Sequence, residues 1–198
     1  AINSMNLDNT EQIDLLATQY MERLKRLPYK NTKVKLMEQL LKRVIDNVRK
    51  VNKVKAVSFT ERLNGIIDKY NDRSDDIVMA DEIVTEVATQ LAELLEEIKK
   101  DSVLPDGIPN IEVKAFYDIL KSVAERYGFL DQYNEEQYVE MAQAVKEKVD
   151  DSSQFIDWDK RTDIRAQLKV QIILTLAKFK YPPATRDEVF KAILEQAE

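Results

Sequence analysis

Between Ile164 and Phe179 the chain reads IRAQLKVQIILTLAKF, with Ile164, Leu168, Ile172, Leu176 and Phe179 at helical spacing and Ile173, Leu174 and Ala177 widening the apolar face. So little polar surface is left that this helix is expected to be buried, with the other helices packed around it. Tyr181-Pro182-Pro183 stops it, because proline lacks an amide donor and disfavours the helical conformation in the residue before it. A second helix is expected at once. Thr185 serves as its N-cap, Glu188 three residues on completes a T-x-x-E capping box, and Val189, Phe190, Ile193 and Leu194 form its inner face.

The rest of the chain repeats this grammar. Ile13, Leu16, Ala17, Tyr20, Leu24 and Leu27 mark a helix from Asp8 or Thr10 to about Leu27, ended by Pro28. Val34, Met37, Leu41, Val44, Ile45, Val48, Val51 and Val54 predict one continuous helix over 32–55, about 35 Å long at the usual rise. Ser58 with Glu61 reads as a capping box opening the helix of Phe59, Leu63, Ile66, Ile67 and Tyr70. A helix over about 76–100 follows, then DSVLPDGIPN over 101–110, the clearest loop and the expected point of division. Helices over about 111–127, with Gly128 just past the end, and from the cap Asn134 through Val149 complete the series. With only three glycines and five prolines in 198 residues, tight turns are too few for an all-β fold. The expected fold is all-α, an irregular bundle of seven to eight amphipathic helices.

Cysteine and histidine are both absent, which removes the thiol nucleophile, the strong zinc ligands and the usual general base together. The absence of cysteine also suits the cytoplasm. No signal peptide opens the chain and no window approaches a membrane span. The acidic pairs Asp75-Asp76, Asp81-Glu82, Glu96-Glu97 and Asp150-Asp151 lack the alternate spacing and glycine of a calcium loop. Asp157, Asp159 and Asp163 suit a helix start. No phosphate-binding G-x-x-x-x-G-K-[ST] loop and no strand for a nuclease D…E-x-K pattern is found. A binding module without catalytic, cofactor or metal residues is expected. The opening Ala-Ile-Asn-Ser and the end at Glu198 in mid-pattern read as those of an excised fragment.

Charge is unevenly spread. From Arg23 to Lys55 twelve Lys or Arg face only Glu38 and Asp46, in a chain with 30 basic and 36 acidic residues. Lys33, Lys35, Lys42, Arg43, Arg49, Lys50 and Lys53 are candidate contacts to DNA or a partner, through phosphates that carry no sequence information; the other reading is the solvated side of an amphipathic helix. Trp158, the only tryptophan, with Arg161 and Arg165, forms a candidate interface. Its alternative is a core-edge anchor, with the arginines occupied by Asp157 and Asp159.

Three segments in order carry a resemblance. Phe59-Thr60-Glu61-Arg62-Leu63 through Ile66-Ile67-Asp68-Lys69-Tyr70-Asn71-Asp72-Arg73 is the first, and Glu112 with Ala115-Phe116-Tyr117-Asp118 the second. The third runs from Asp157-Trp158, Arg161 and Ile164-Arg165-Ala166 through Tyr181-Pro182-Pro183 to the closing Leu194-Glu195-Gln196-Ala197-Glu198. Together they resemble the C-terminal helical region of the restriction (R) subunit of type I restriction-modification enzymes. The resemblance covers most of 58–198 and implies a helical assembly domain there, with 1–57 a helical pair leading from an upstream motor. It implies a parent that is an ATP- and Mg-dependent site-specific deoxyribonuclease, with the modification methyltransferase and specificity subunits and double-stranded DNA as partners. No small-molecule substrate and no membrane is implied, and no catalytic residue falls on this fragment. The runner-up is a free-standing helical nucleic-acid-binding module that uses the basic 23–55 helix.

Overall fold

The computed structural model describes residues 29–73 and 77–197; the helix expected before Pro28 lies outside them. Among the described residues the fold is all-α: α1 (Lys30–Val51), α2 (Lys53–Asn71), α3 (Ile77–Asp101), α4 (Ile111–Arg126), α5 (Glu135–Ser153), α6 (Thr162–Lys178) and α7 (Arg186–Ala197). Two 3-10 turns, Leu130–Gln132 and Pro183–Thr185, complete it. The described residues fall into two compact units, one of residues 29–50 with 55–103, the other of residues 51–54 with 104–197. Residue 57 lies inside α2.

In the first unit α1, α2 and α3 close one core from Val34, Met37, Leu41, Val44, Phe59, Leu63, Val87, Leu91 and Leu95, all nearly inaccessible. Charges on α2 are answered from α3: Lys55 by Asp101 at 3.0 Å, Arg62 by Glu97 and Lys69 by Glu86. The two exposed pairs, Arg62–Glu97 and Lys69–Glu86, fix register more than they stabilise. The Tyr70 hydroxyl donates to Asn31 Oδ1 at 2.9 Å, and the Arg73 guanidinium lies 4.2 Å from its ring centroid.

The continuous 32–55 helix is not observed, because the chain breaks at Asn52 although the apolar pattern runs through it. Asn52 is 3 % exposed. Its Nδ2 donates to Asp118 Oδ2 at 2.7 Å, the carboxylate oxygen that also takes Lys114 Nζ at 2.7 Å. The Gln196 carboxamide serves the open backbone on either side, accepting from Lys53 N at 2.8 Å and donating to the Val51 carbonyl at 3.2 Å. These bonds stand in for those the broken helix gives up. Ser58 consequently falls inside α2 and caps nothing.

In the second unit α4, α5, α6 and α7 form a ring in which each helix packs on two neighbours. Asn110 caps α4 by accepting from Val113 N, and Asn134 with Gln137 builds a reciprocal capping box on α5. Gly128, at φ 74°, follows α4 in the left-handed conformation that glycine adopts without strain. At the other end, Thr185 does not cap α7. It lies in the 3-10 turn and its hydroxyl donates to the Pro182 carbonyl at 3.0 Å, while Glu188 instead binds Arg126 and the Tyr127 hydroxyl.

The expectation for α6 needs correction too. Packed on α5 and α7, it buries Ile164, Leu168, Ile172, Thr175 and Leu176. Val170 and Leu174 point to solvent at 56 % and 58 % exposure.

An aromatic cluster closes the ring. Tyr181 stacks on Tyr133 at 6.1 Å and meets Phe129 edge-on at 5.1 Å, and Tyr138 meets Tyr133 and Tyr117 edge-on. Burial pushes the Tyr138 phenol up to about 12 and raises Tyr181 as well. Since the folded value exceeds the unfolded one, the Tyr138 contribution to stability is full below about pH 10 and is lost as pH rises through about 12. Helicity should therefore fall together with a late tyrosinate absorbance step in that window. Titration of every tyrosine near pH 10 with intact helicity would contradict the burial.

Candidate assembly surfaces

The basic residues singled out in the sequence do not share one environment. Lys35, Lys42, Arg43, Arg49 and Lys50 are exposed on α1, and Lys33 is half-buried beside them. Lys42 pairs with Glu38 at 2.6 Å. Arg49 donates to Thr60 Oγ1 at 3.1 Å and Lys50 to Asn47 Oδ1 at 3.2 Å, both neutral acceptors. Lys53 stands apart at the start of α2, its Nζ bound to the Glu195 carbonyl within the second unit.

Trp158 is half-buried against the second core. It anchors a loop from Gln154 to Arg161 whose backbone is tied by Trp158 N to Phe155 O at 3.2 Å and by Lys160 N and Arg161 N to Asp157 O at 3.0 and 3.1 Å. Asp157 takes φ 53° there, a left-handed conformation that Asp adopts more readily than most residues. Arg161 binds Asp163 through Nη2 at 2.7 Å, not Asp157 or Asp159. That pairing holds the Asp163 carboxyl below the usual range. Arg165 is half-buried one turn on. What the sequence did not mark is what the loop displays: Phe155 at 49 % and Ile156 at 87 % exposure.

Two clusters of titratable groups on α4 and α5 are tied into structure. Glu135 accepts from Lys121 at 2.6 Å and from the Tyr117 hydroxyl, and these bonds hold its carboxyl low while joining the start of α5 to α4. Lys146 bridges Glu112 at 2.9 Å and Asp150. Among the described residues no group of three acidic side chains could hold a metal ion, and no helix is long and apolar enough to cross a membrane. A cleft of about 520 Å³ at one end of the first unit is lined by Lys30, Asn31, Arg73 and Asp81. Its Lys30 and Asp81 are paired with each other at 2.6 Å.

The three quoted motifs land on framework positions. Phe59 and Leu63 are core, and Tyr70 holds Asn31. Ala115 and Phe116 are core, Tyr117 holds Glu135, and Asp118 holds the helix break. Leu194 is core and Gln196 completes the same break.

Comparison with known proteins bears out the family resemblance of these motifs. The chain is 27 % identical over 187 residues to the Type I restriction enzyme HindI endonuclease subunit of Haemophilus influenzae, an alignment covering 94 % of this chain and 17 % of that protein. The chain thus spans under a fifth of that relative's length. No solved structure matches it. The family model described as Type I restriction enzyme HindI endonuclease subunit-like, C-terminal, matches residues 2–198. The chain therefore belongs to the family of C-terminal regions of HindI-like type I restriction enzyme endonuclease subunits.

Proposed function

We propose that this domain is a non-catalytic assembly module that docks the ATP-dependent translocase and endonuclease of its parent subunit onto the modification methyltransferase core. One observation supports this above the others: the second unit displays apolar side chains on ordered backbone. Phe155 and Ile156 are presented by a loop pinned through Trp158, and Val170 and Leu174 by a helix whose opposite stripe is fully packed. A backbone already fixed by hydrogen bonds has less conformational freedom to lose on binding, and apolar anchors dominate interface energetics. Nucleotide, Mg and the nuclease centre belong, on this reading, to other parts of the parent.

The test is affinity for a methyltransferase core, measured by calorimetry on separate Ile156→Asp and Leu174→Asp variants. At least one should bind about 30-fold more weakly, as expected for loss of a hot spot, with helicity unchanged. Wild-type affinity in both would place the docking surface elsewhere.

A further inference from the structure

We propose that the outward face of α1 is a docking strip for the phosphate backbone of duplex DNA, separate from the apolar surfaces of the second unit. Lys35, Lys42 and Arg49 recur every seven residues and so lie in one row, about 10.5 Å apart along the helix. Arg43 and Lys50, also seven apart, form a second row beside it, and the strip from Lys35 to Lys50 is about 22 Å long.

The contrast with α2 carries the argument. Lys55, Arg62 and Lys69 have the same seven-residue spacing, and each is answered by a carboxylate of α3, Asp101, Glu97 and Glu86. Among the described residues no carboxylate of another helix answers the rows on α1. Lys42 has only its own-helix Glu38, and Arg49 and Lys50 bond to neutral side chains, which leaves their charge uncompensated. Asp46 is the remaining carboxylate on that face.

The surroundings narrow the partner. Positions 35, 39, 42, 43, 46, 49 and 50 are all exposed and hold neither a large apolar side chain nor an aromatic one. An apolar hot spot for a protein, an apolar face for a lipid surface and a stacking platform for single-stranded bases are therefore all missing from the strip. What remains is a row of cations suited to a regular polyanion. Duplex DNA carries one charge per about 1.7 Å of axis, so about 13 phosphates lie along a strip of this length. The chain as a whole is negative at −6, so unspecific attraction by net charge is not available to it.

The experiment is anisotropy titration of a labelled 30-base-pair duplex with the 198-residue chain at about 50 and 200 mM salt. The wild type should bind and lose about 250-fold affinity across that range, a slope near −4. Lys35→Glu/Lys42→Glu/Arg49→Glu should lose most of that slope and at least tenfold affinity at low salt. Arg43→Glu/Lys50→Glu should move the same way, which keeps the test decisive if the triple variant loses helicity. Asp46→Asn should tighten binding about threefold by removing a like charge. Lys178→Glu/Lys180→Glu/Lys191→Glu, an equal charge change on the second unit, should leave affinity within twofold. No binding by the wild type overturns the proposal. So does equal weakening by the second-unit variant, or competition by poly-glutamate as strong as that by DNA, which would assign the strip to an acidic protein.

Discussion

Asp118→Ala is expected to lower the unfolding free energy of the second unit by about 3–5 kcal/mol, the range for removing one partner of a buried ion pair. The carboxylate is 7 % exposed and Lys114 is 4 % exposed. Asn52, on which the break between α1 and α2 depends, donates to the same oxygen. Taking the carboxylate away strips both Lys114 and Asn52 of this acceptor. Asp118→Asn keeps an oxygen in place and should cost less. Gln196→Ala, which removes two bonds to the backbone around Asn52, should cost about 1–3 kcal/mol. Urea unfolding followed by helicity checks all three, with two transitions allowed for because the chain forms two units. A loss below 1 kcal/mol for Asp118→Ala would mean that the pair is not buried as described.

Tyr181→Ala should cost a similar amount, about 3–5 kcal/mol, typical of truncating a buried aromatic side chain. Tyr181 is inaccessible to solvent, contacts the Phe129 and Tyr133 rings, and donates its hydroxyl proton to the Leu120 carbonyl at 2.8 Å. It also marks the sharp end of α6, where Lys180 takes φ 60° and Tyr181 N returns to the Leu176 carbonyl. Tyr181→Phe keeps the ring and loses one hydrogen bond, so it should cost only about 1 kcal/mol. Equal losses in the two variants would assign the stabilisation to the hydroxyl rather than to ring packing.

Most of the helices were legible because an amphipathic stripe facing a core leaves a 3.6-residue period in the sequence. Asn110, Gly128 and Asn134 were legible for local reasons, since capping and left-handed geometry favour particular residue types. The failures share one cause, which is that long-range partners are invisible to a local pattern. Val51 and Val54 continue the apolar period of α1, so nothing nearby announces that Asn52 meets Asp118 some 66 residues on. Ser58 and Thr185 have the composition of caps, but the backbone around each is set by its neighbours: α2 already runs through Ser58, and Thr185 is held in a Pro-initiated turn. The run in α6 has the composition of a helix buried on all sides, while in the four-helix ring its Val170 and Leu174 remain exposed.

The surfaces were read less well than the core. The basic stretch on α1 was visible as charge, but its two rows and the absence of answering carboxylates are properties of the packed helices. Phe155 and Ile156 carry no signal in the sequence, because isolated apolar residues in a polar linker have no periodicity. Only the fold shows that Trp158 pins the backbone that displays them. The quoted motifs coincide with framework contacts: Asp118 and Gln196 hold one helix break from two distant parts of the chain.

The most direct test of the assembly account is capture of this chain by an immobilised methyltransferase core without DNA, at low and at high salt. The account predicts capture that survives high salt and is lost in at least one of Ile156→Asp and Leu174→Asp. Capture that needs DNA and disappears at high salt would contradict it and leave the α1 strip as the domain's main contact.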